Sequence, residues 1–234
     1  MLPGRGDPLP SGDEKTAAVR SMFDTIAGRY DLVNRLMTFG MDVRWRDVAI
    51  DSLGLRGAEN VLDLATGTGD MALALAERGA VPIGADLSLG MLDAARKPFP
   101  RVQCDATALP IPDAALDAAT CGFALRNFTD LASTLAEVAR VLRPGARIAL
   151  LDVAEPPNPF MALGHSIYFN RVVPLIGGLL SDRDAYSYLP RSVAYLPPTG
   201  ELLATVRHAG FESISRQLLS GGISQLITAT RRAL

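Results

Sequence analysis

Asn60-Val61-Leu62-Asp63-Leu64-Ala65-Thr66-Gly67-Thr68-Gly69-Asp70 is an apolar burst that breaks into two glycines and ends on a carboxylate. Such a run describes a buried strand that stops at a ligand-binding loop. Gly67 and Gly69 supply backbone angles closed to other residues and let a ligand approach the main chain. Asp70-Met71-Ala72-Leu73 then opens a helix whose first N–H groups face the same ligand. The fold that grows from this start is a doubly wound α/β sheet, with its ligand at the carboxyl ends of the strands.

Working outward, Val81-Pro82-Ile83-Gly84-Ala85-Asp86 reads as a second short buried strand closing on an acid, placed to accept the hydroxyls of a ribose. Arg101-Val102-Gln103-Cys104-Asp105-Ala106 is a third strand ending in an acid that can hold an adenine amino group. A fourth follows at Leu116-Asp117-Ala118-Ala119-Thr120-Cys121. Gly67-x-Gly69-x-x-Ala72 also fits the looser dinucleotide pattern, so an NAD-dependent oxidoreductase stays open. That enzyme would not need the third acid, and the chain shows no Tyr-x-x-x-Lys pair for hydride transfer. A cofactor-binding protein without catalysis also stays open.

On either side of these strands the chain reads as helices and loops. Ser11-x-x-Glu14 forms a capping box for a helix through Ala17, Met22 and Ile26, and Asp42 after Gly40 caps another through Trp45, Val48 and Ile50. Material placed before the first strand is free to lie across the ligand end of the sheet as a lid. Thr129 or Asp130 caps a helix through Leu131, Leu135, Val138 and Leu142, and Pro144-Gly145 then turns into a fifth strand over 147–151. The last elements are a helix over 201–209 and closing strands over 211–218 and 224–230.

Composition narrows the field. A chain of 234 residues, 48% of them hydrophobic, suits one domain with a sizeable core. A net charge of −2 offers no basic field for nucleic acid. Cys104 and Cys121 each belong to a predicted strand and read as core residues of a reducing compartment. Residues 1–13 read as a flexible tail that is neither a signal peptide nor an anchor, and no apolar run reaches the ~20 residues that cross a bilayer. The expectation is a cytoplasmic protein, at most peripheral at the inner face of the cell membrane. His165 and His208 have no spacing for a paired metal site; His208 reads as an exposed helix residue, and His165 lies in the stretch after the fifth strand, with substrate contact the minority reading.

The order of glycine loop, ribose acid and adenine acid resembles the class I S-adenosylmethionine-dependent methyltransferases. Four further stretches resemble the menaquinone and ubiquinone C-methyltransferase family: Phe23-Asp24-Thr25-Ile26-Ala27-Gly28-Arg29-Tyr30-Asp31-Leu32-Val33-Asn34 with Trp45-Arg46, Gly122-Phe123-Ala124-Leu125-Arg126-Asn127, Val141-Leu142-Arg143-Pro144-Gly145, and Tyr186-Ser187-Tyr188-Leu189-Pro190-Arg191-Ser192-Val193. The resemblance implies a mostly parallel, seven-stranded, Rossmann-like sheet in one domain over 14–234, with lid helices in 14–55 and a substrate-pocket insertion over 155–190. It implies S-adenosylmethionine as cofactor, bound by the loop of Gly67 and Gly69, with Thr68 at its methionine part, Asp86 at the ribose, Asp105 and Ala106 at the adenine, and Gly122 in the wall. The implied reaction methylates demethylmenaquinol to menaquinol; another apolar phenol or isoprenoid is the rival acceptor. A homodimer is compatible with the chain.

Substrate-side positions depart from the family pattern. Thr38 and Gly40-Met41-Asp42 stand where the family has Ser and Gly-x-His, Asp152 and Ala154 where it has Glu and Ser, and Ile227 where it has a late His. For a quinol, the ring carbon becomes nucleophilic when the neighbouring hydroxyl, of pKa about 10, loses its proton. Arg126 beyond the fourth strand is the cation placed to favour the phenolate or order a water that takes the proton, the bland alternative being an ion pair with Asp130 or another surface acid. Tyr30 covers the cofactor from the lid or packs within it, and Asp152 ends the fifth strand where a base faces the acceptor or caps the next turn. Leu36, Met37, Phe39 and Met41 line an oily channel or serve ordinary helix packing, which needs the same residues, and Arg29, Arg35, Arg44 and Arg46 offer a basic rim toward anionic lipid that Asp31, Asp42 and Asp47 interrupt.

Overall fold

The computed structural model describes residues 10–173, 188 and 191–233. Five strands run parallel: β1 (Asn60–Leu64), β2 (Val81–Asp86), β3 (Arg101–Gln103), β4 (Leu116–Gly122) and β5 (Leu142–Val153). β6 (Phe211–Leu219) and β7 (Ser224–Arg231) complete a sheet of order β3-β2-β1-β4-β5-β7-β6, in which β7 is antiparallel to both its neighbours. The order reverses direction between β1 and β4, so the loops leaving these two strands part there and open a crevice.

Strand periodicity decides which side each residue serves. Val61 packs with Trp45, Ile50 and Leu75 on the face covered by α3 (Met41–Ser52) and α4 (Asp70–Glu77). Leu62 and Leu64 point the other way, into a cluster with Leu135 and Val138 of α6 (Leu131–Val141) and with Leu202 and Val206 of a later helix, Thr199–His208. Both faces are covered, which is why β1 is apolar without alternation.

Helices α1 (Gly12–Ile26) and α2 (Tyr30–Met37) precede α3. α1 packs Val19, Met22 and Ile26 against Val33 and Tyr188, and its Lys15 Nζ donates to the Phe128 carbonyl at 2.7 Å while lying 3.9 Å from the centre of the Tyr195 ring. Trp45 anchors α3, buried beside the sheet with Nε1 donating to Ser220 Oγ at 2.8 Å. Between β2 and β3 lies the short α5 (Leu89–Asp93), and after β5 comes α7 (Pro159–Ile167), capped by Asn158 and continued by one π turn, Tyr168–Val172. The Thr199–His208 helix is α8; its His208 is exposed, as the sequence reading expected.

Several local expectations need correction. Ser11 precedes α1 but its side chain makes no cap, and Gly40 rather than Asp42 starts α3, with φ +75°. Asp130, not Thr129, caps α6 by accepting from Ser133 N at 2.9 Å. β3 stops at Gln103 because the Asp105 carboxylate accepts from Thr107 N and Oγ1, folding the chain away from the sheet. β5 begins at Leu142, not 147; a register shift opposite Leu116 and Ala118 absorbs Pro144-Gly145. Of the tail expected over 1–13, residues 1–9 lie outside the described residues and Gly12 and Asp13 belong to α1. The expected 155–190 insertion is described for 155–173 and at 188, so Tyr186, Ser187, Leu189 and Pro190 of the quoted block lie outside.

Candidate active site

The crevice holds two cavities, each of about 370 Å³, that share Tyr30, Arg46 and Phe123. The first lies over the glycine loop. Gly67, with φ +58°, donates its N–H to Asp86 Oδ2 at 2.8 Å, and Ser88 N donates to Oδ1 at 2.8 Å. Two main-chain donors thus fix the Asp86 carboxylate at the cavity wall, where burial raises its pKa and those bonds oppose the rise. Thr68, Asp105, Ala106 and Gly122 stand in the same wall. Gly69 does not: it starts α4 with φ +90°, and a Cβ there would sit 2.3 Å from the Phe99 ring. Its role is to turn the loop, not to line it.

Beneath the loop, Asp63 accepts from Thr66 Oγ1 at 2.6 Å and from Thr120 Oγ1 at 3.0 Å. Burial pushes its carboxyl up to about 6, and the hydroxyl bonds hold it down from going further. Asp63 therefore orients the loop from below. Asn127 adds a group that the sequence reading passed over: its Oδ1 is buried in this cavity's wall with no partner among the described residues. A buried acceptor left unpaired costs roughly 1–3 kcal/mol. A ligand N–H removes that cost, so the wall suits a nucleoside with an amino group.

The lid closes on the loop by side chains. Thr68 Oγ1 donates to Asp31 Oδ1 at 2.6 Å, and burial raises the Asp31 pKa while that bond lowers it. Arg46 spans Asp42 at 2.5 Å and Asp70 at 3.2 Å, and Arg35 reaches Asp70 at 3.1 Å and Asp42 at 3.3 Å. Burial works against the Asp42 charge, yet Thr38 Oγ1, donating at 2.6 Å, and the two arginines prevail and lower its pKa. Arg35 and Arg46 are therefore tied to α3 and α4 and do not form the basic rim expected of them. Asp31 lies 37 residues from its partner Thr68, and Asp70 lies 35 and 24 residues from its partners Arg35 and Arg46, so no local spacing announced these bonds.

The second cavity is walled by Met37, Phe39 and Met41 of the lid and by Met161, Tyr168 and Phe169 from α7 and the turn after it. Leu36 is not in that wall; it faces outward, 47% exposed. His165 is in it, stacked on Phe169 at 5.2 Å, with its pKa lowered by burial. Arg126 enters the same wall, 6% exposed. Its Nη1 pairs with Asp152 Oδ1 and donates to the Phe123 carbonyl, while Nε donates to Ser192 Oγ at 3.0 Å. Nη2 has no partner among the described residues.

Asp152 is fully buried, and it accepts from the Arg126 and Val153 main-chain N–H groups as well as from the guanidinium. It belongs to neither cavity wall, so the expected base facing the acceptor is instead the anchor that aims Arg126. Asp130, the alternative partner considered for Arg126, caps α6. Ile227 sits in the core opposite Leu150, remote from both walls, so that departure from the family pattern leaves the pocket unchanged. Tyr30 stands between the cavities; burial raises its pKa, and Asn34, Arg126 and Arg46 oppose the rise. Phe123 forms the rest of the partition in a left-handed conformation, φ +60°, held by its N–H donating to Leu151 O at 2.6 Å. That conformation costs about 1–2 kcal/mol outside glycine, and such strain concentrates at functional sites.

Residues 11–231 match the ubiE/COQ5 methyltransferase family. The chain is 44% identical over 220 residues to a demethylmenaquinone methyltransferase of Thermus thermophilus, covering 90% of this chain and all of that protein. It is 43% identical to the ubiquinone/menaquinone biosynthesis C-methyltransferase UbiE of Syntrophotalea carbinolica, over 91% of this chain and 93% of the other. In fold it is similar to the crystal structure of a SAM-dependent methyltransferase of Thermotoga maritima, with TM-score 0.63 and 21% identity over 91% of this chain and 99% of that one.

Proposed function

The chain belongs to the ubiE/COQ5 methyltransferase family, and on that premise we propose that it moves a methyl group from S-adenosylmethionine to a ring carbon of demethylmenaquinol, giving menaquinol. The observation that carries this reading is the pair of cavities meeting at Tyr30, Arg46 and Phe123, one rich in acids and main-chain donors, the other largely apolar with the Arg126 guanidinium in its wall. Asp86 takes the ribose, Asp105 and Ala106 the adenine side, Asn127 an amino N–H, and Gly67 and Thr68 the methionine part, with Gly122 shaping the wall toward the acceptor. When bound, S-adenosylmethionine supplies an electrophilic methyl group on a sulfonium sulfur.

The protein's own work is alignment and charge. Tyr30 and Phe123 hold the acceptor ring at the junction and keep water from it. Arg126 Nη2 faces the hydroxyl next to the reacting carbon and favours its phenolate, which makes that carbon nucleophilic; the released proton leaves through an ordered water. Asp152 keeps the guanidinium in place. The ring carbon's own hydrogen departs as a proton after the new bond forms, and the aromatic ring is restored. The lipid character of the acceptor places the encounter at a membrane surface; no helix among the described residues is long and apolar enough to cross one.

Incubation of the purified protein with S-adenosylmethionine and demethylmenaquinol, followed by mass spectrometry, tests the reading. A gain of one methyl on the ring supports it. No gain, with methylation of a different phenol or isoprenoid, replaces the acceptor and keeps the chemistry. Calorimetry showing affinity for NAD and none for S-adenosylmethionine overturns both.

A further inference from the structure

Among the described residues, eleven large apolar side chains are exposed, and eight of them belong to α2, the turn after it, α3 and α7. Scattered singly such residues need no explanation, but this concentration marks a contact surface. α7 is the sharpest case. Met161, Gly164 and His165 line the apolar cavity, while Phe160, Leu163 and Ile167 face outward at 87%, 62% and 50% exposure, and the helix buries no residue. A helix apolar on every side belongs inside a protein or inside lipid.

We propose that the outer face of α7, with Phe39 at the tip of the lid, is a docking surface for an anionic lipid bilayer, so that the acceptor enters the apolar cavity directly from the membrane. The two segments form one surface: the Phe39 and Tyr168 rings lie 5.8 Å apart, and Tyr168 Oη donates to the Met37 carbonyl at 2.8 Å. Charge agrees with the choice of partner. Residues 159–173 hold no carboxylate and one arginine, the exposed Arg171, while on the lid side Arg44 is exposed and Asp42 is buried within its ion pairs. Size agrees as well. A cavity of about 370 Å³ is near the small end of ligand pockets, roughly 300–1,000 Å³, with room for a two-ring head but not for a long prenyl tail. The rest of the tail needs an apolar surround, and the bilayer in which it already resides supplies one.

The inference rests on a lipid-soluble acceptor, and its test separates it from that reading. Flotation with phosphatidylcholine vesicles, with and without phosphatidylglycerol, is compared for the wild-type chain and for Phe160→Ser/Leu163→Ser/Ile167→Ser. None of these three side chains lines a cavity. The wild type floats with the anionic vesicles, and the triple variant partitions at least about tenfold more weakly, since each lost side chain forfeits burial in the acyl region. Arg44→Glu/Arg171→Glu weakens binding to the anionic vesicles alone and serves as a second probe should the triple variant not fold. With acceptor in vesicles, the triple variant loses turnover in proportion to binding; with a short-tailed quinol in solution it keeps the wild-type rate.

Wild-type protein that ignores both vesicle types, or a triple variant that floats as well as the wild type, overturns the proposal. Sedimentation showing a dimer that the triple variant breaks, without vesicle binding, assigns the face to a second copy and overturns it too. Flotation without quinol methylation in detergent leaves the docking face standing and removes the demethylmenaquinol reading. Methylation in detergent without flotation does the reverse.

Discussion

The two cavities are nearly equal in size and opposite in construction. The cofactor cavity is built by backbone: Gly67 turns the loop, main-chain N–H groups hold Asp86, and the acids that face the ligand stand at the ends of successive strands. The acceptor cavity is built by side chains from the lid, the loop after β4, and α7. Backbone geometry follows from the sheet and needs few particular residues, so the first cavity tolerates drift around it. The second depends on each contributing side chain, and the departures at Thr38 and Asp42 accordingly fall there.

The sharpest break of this contrast is at Arg126. Arg126→Leu lowers turnover about 100- to 1,000-fold, the scale of removing one preorganised stabilising donor, while the dissociation constant for S-adenosylmethionine stays within about threefold. The same substitution strands the buried Asp152 and destabilises the fold by about 3–5 kcal/mol. Arg126→Leu/Asp152→Leu removes both charges and regains most of that stability, but not the turnover. Denaturant unfolding and steady-state rates on the three proteins check this. Turnover that returns together with stability shows that the guanidinium served the fold alone.

Asp86 is the corresponding residue of the other cavity. Asp86→Ala frees the two N–H groups at Gly67 and Ser88 and, on the proposed binding mode, removes the acceptor for the ribose, so cofactor affinity measured by calorimetry falls about 100-fold, near 3 kcal/mol. The rate at saturating cofactor falls far less. Beneath it, Asp63 gives a pH signature of similar size. Its carboxyl titrates near 6 in the folded chain against an ordinary value of 3.8, so between those values the folded state binds more protons than the unfolded one. Its share of stability is present in full below pH 4 and is lost as pH rises through 6, on the order of 3 kcal/mol. Asp63→Asn does not titrate. The variant should therefore gain on the wild type by that amount in urea unfolding between pH 4 and pH 7, and a constant difference would show that Asp63 is already ionised at pH 4.

The same division explains what the sequence discloses. The glycine loop, the strand-end acids at 86 and 105, and the core residues of β1 are local patterns, each complete within about ten residues. The Arg126–Asp152 pair is not: it exists because β4 and β5 are adjacent in a register that sets Gly122 beside Leu151, a fact of topology that no spacing reveals. From the sequence, Asp152 thus reads as a base or a cap of the next turn, and the alternative partner for Arg126 is Asp130 or another surface acid. Arg35 and Arg46 read as part of a basic rim that Asp42 interrupts; the Arg46–Asp42 pair is local, four residues apart in α3, whereas Asp70 comes from α4 and only the fold brings it to both arginines. Ile227 read as a substrate-side position and is a core residue, because β7 inserts between β5 and β6 and turns that side chain inward. The outer face of α7 was hidden among apolar residues that a buried helix would share.

The smallest effect tests whether the loop acts by its backbone. Thr68 is the residue of the cofactor loop whose side chain reaches the lid, through its 2.6 Å bond to Asp31. Thr68→Val keeps the shape and removes the hydroxyl, leaving the Asp31 carboxylate to solvent or to ligand. One such bond is worth about 1 kcal/mol net, so the cofactor dissociation constant should rise about fivefold, with the maximal rate unchanged. The loop geometry survives because Gly67, Gly69 and Asp86 set it without Thr68. A loss as large as that of Asp86→Ala would mean that the lid contact, not the main chain, holds the cofactor, and the contrast between the two cavities would fail at its stronger side.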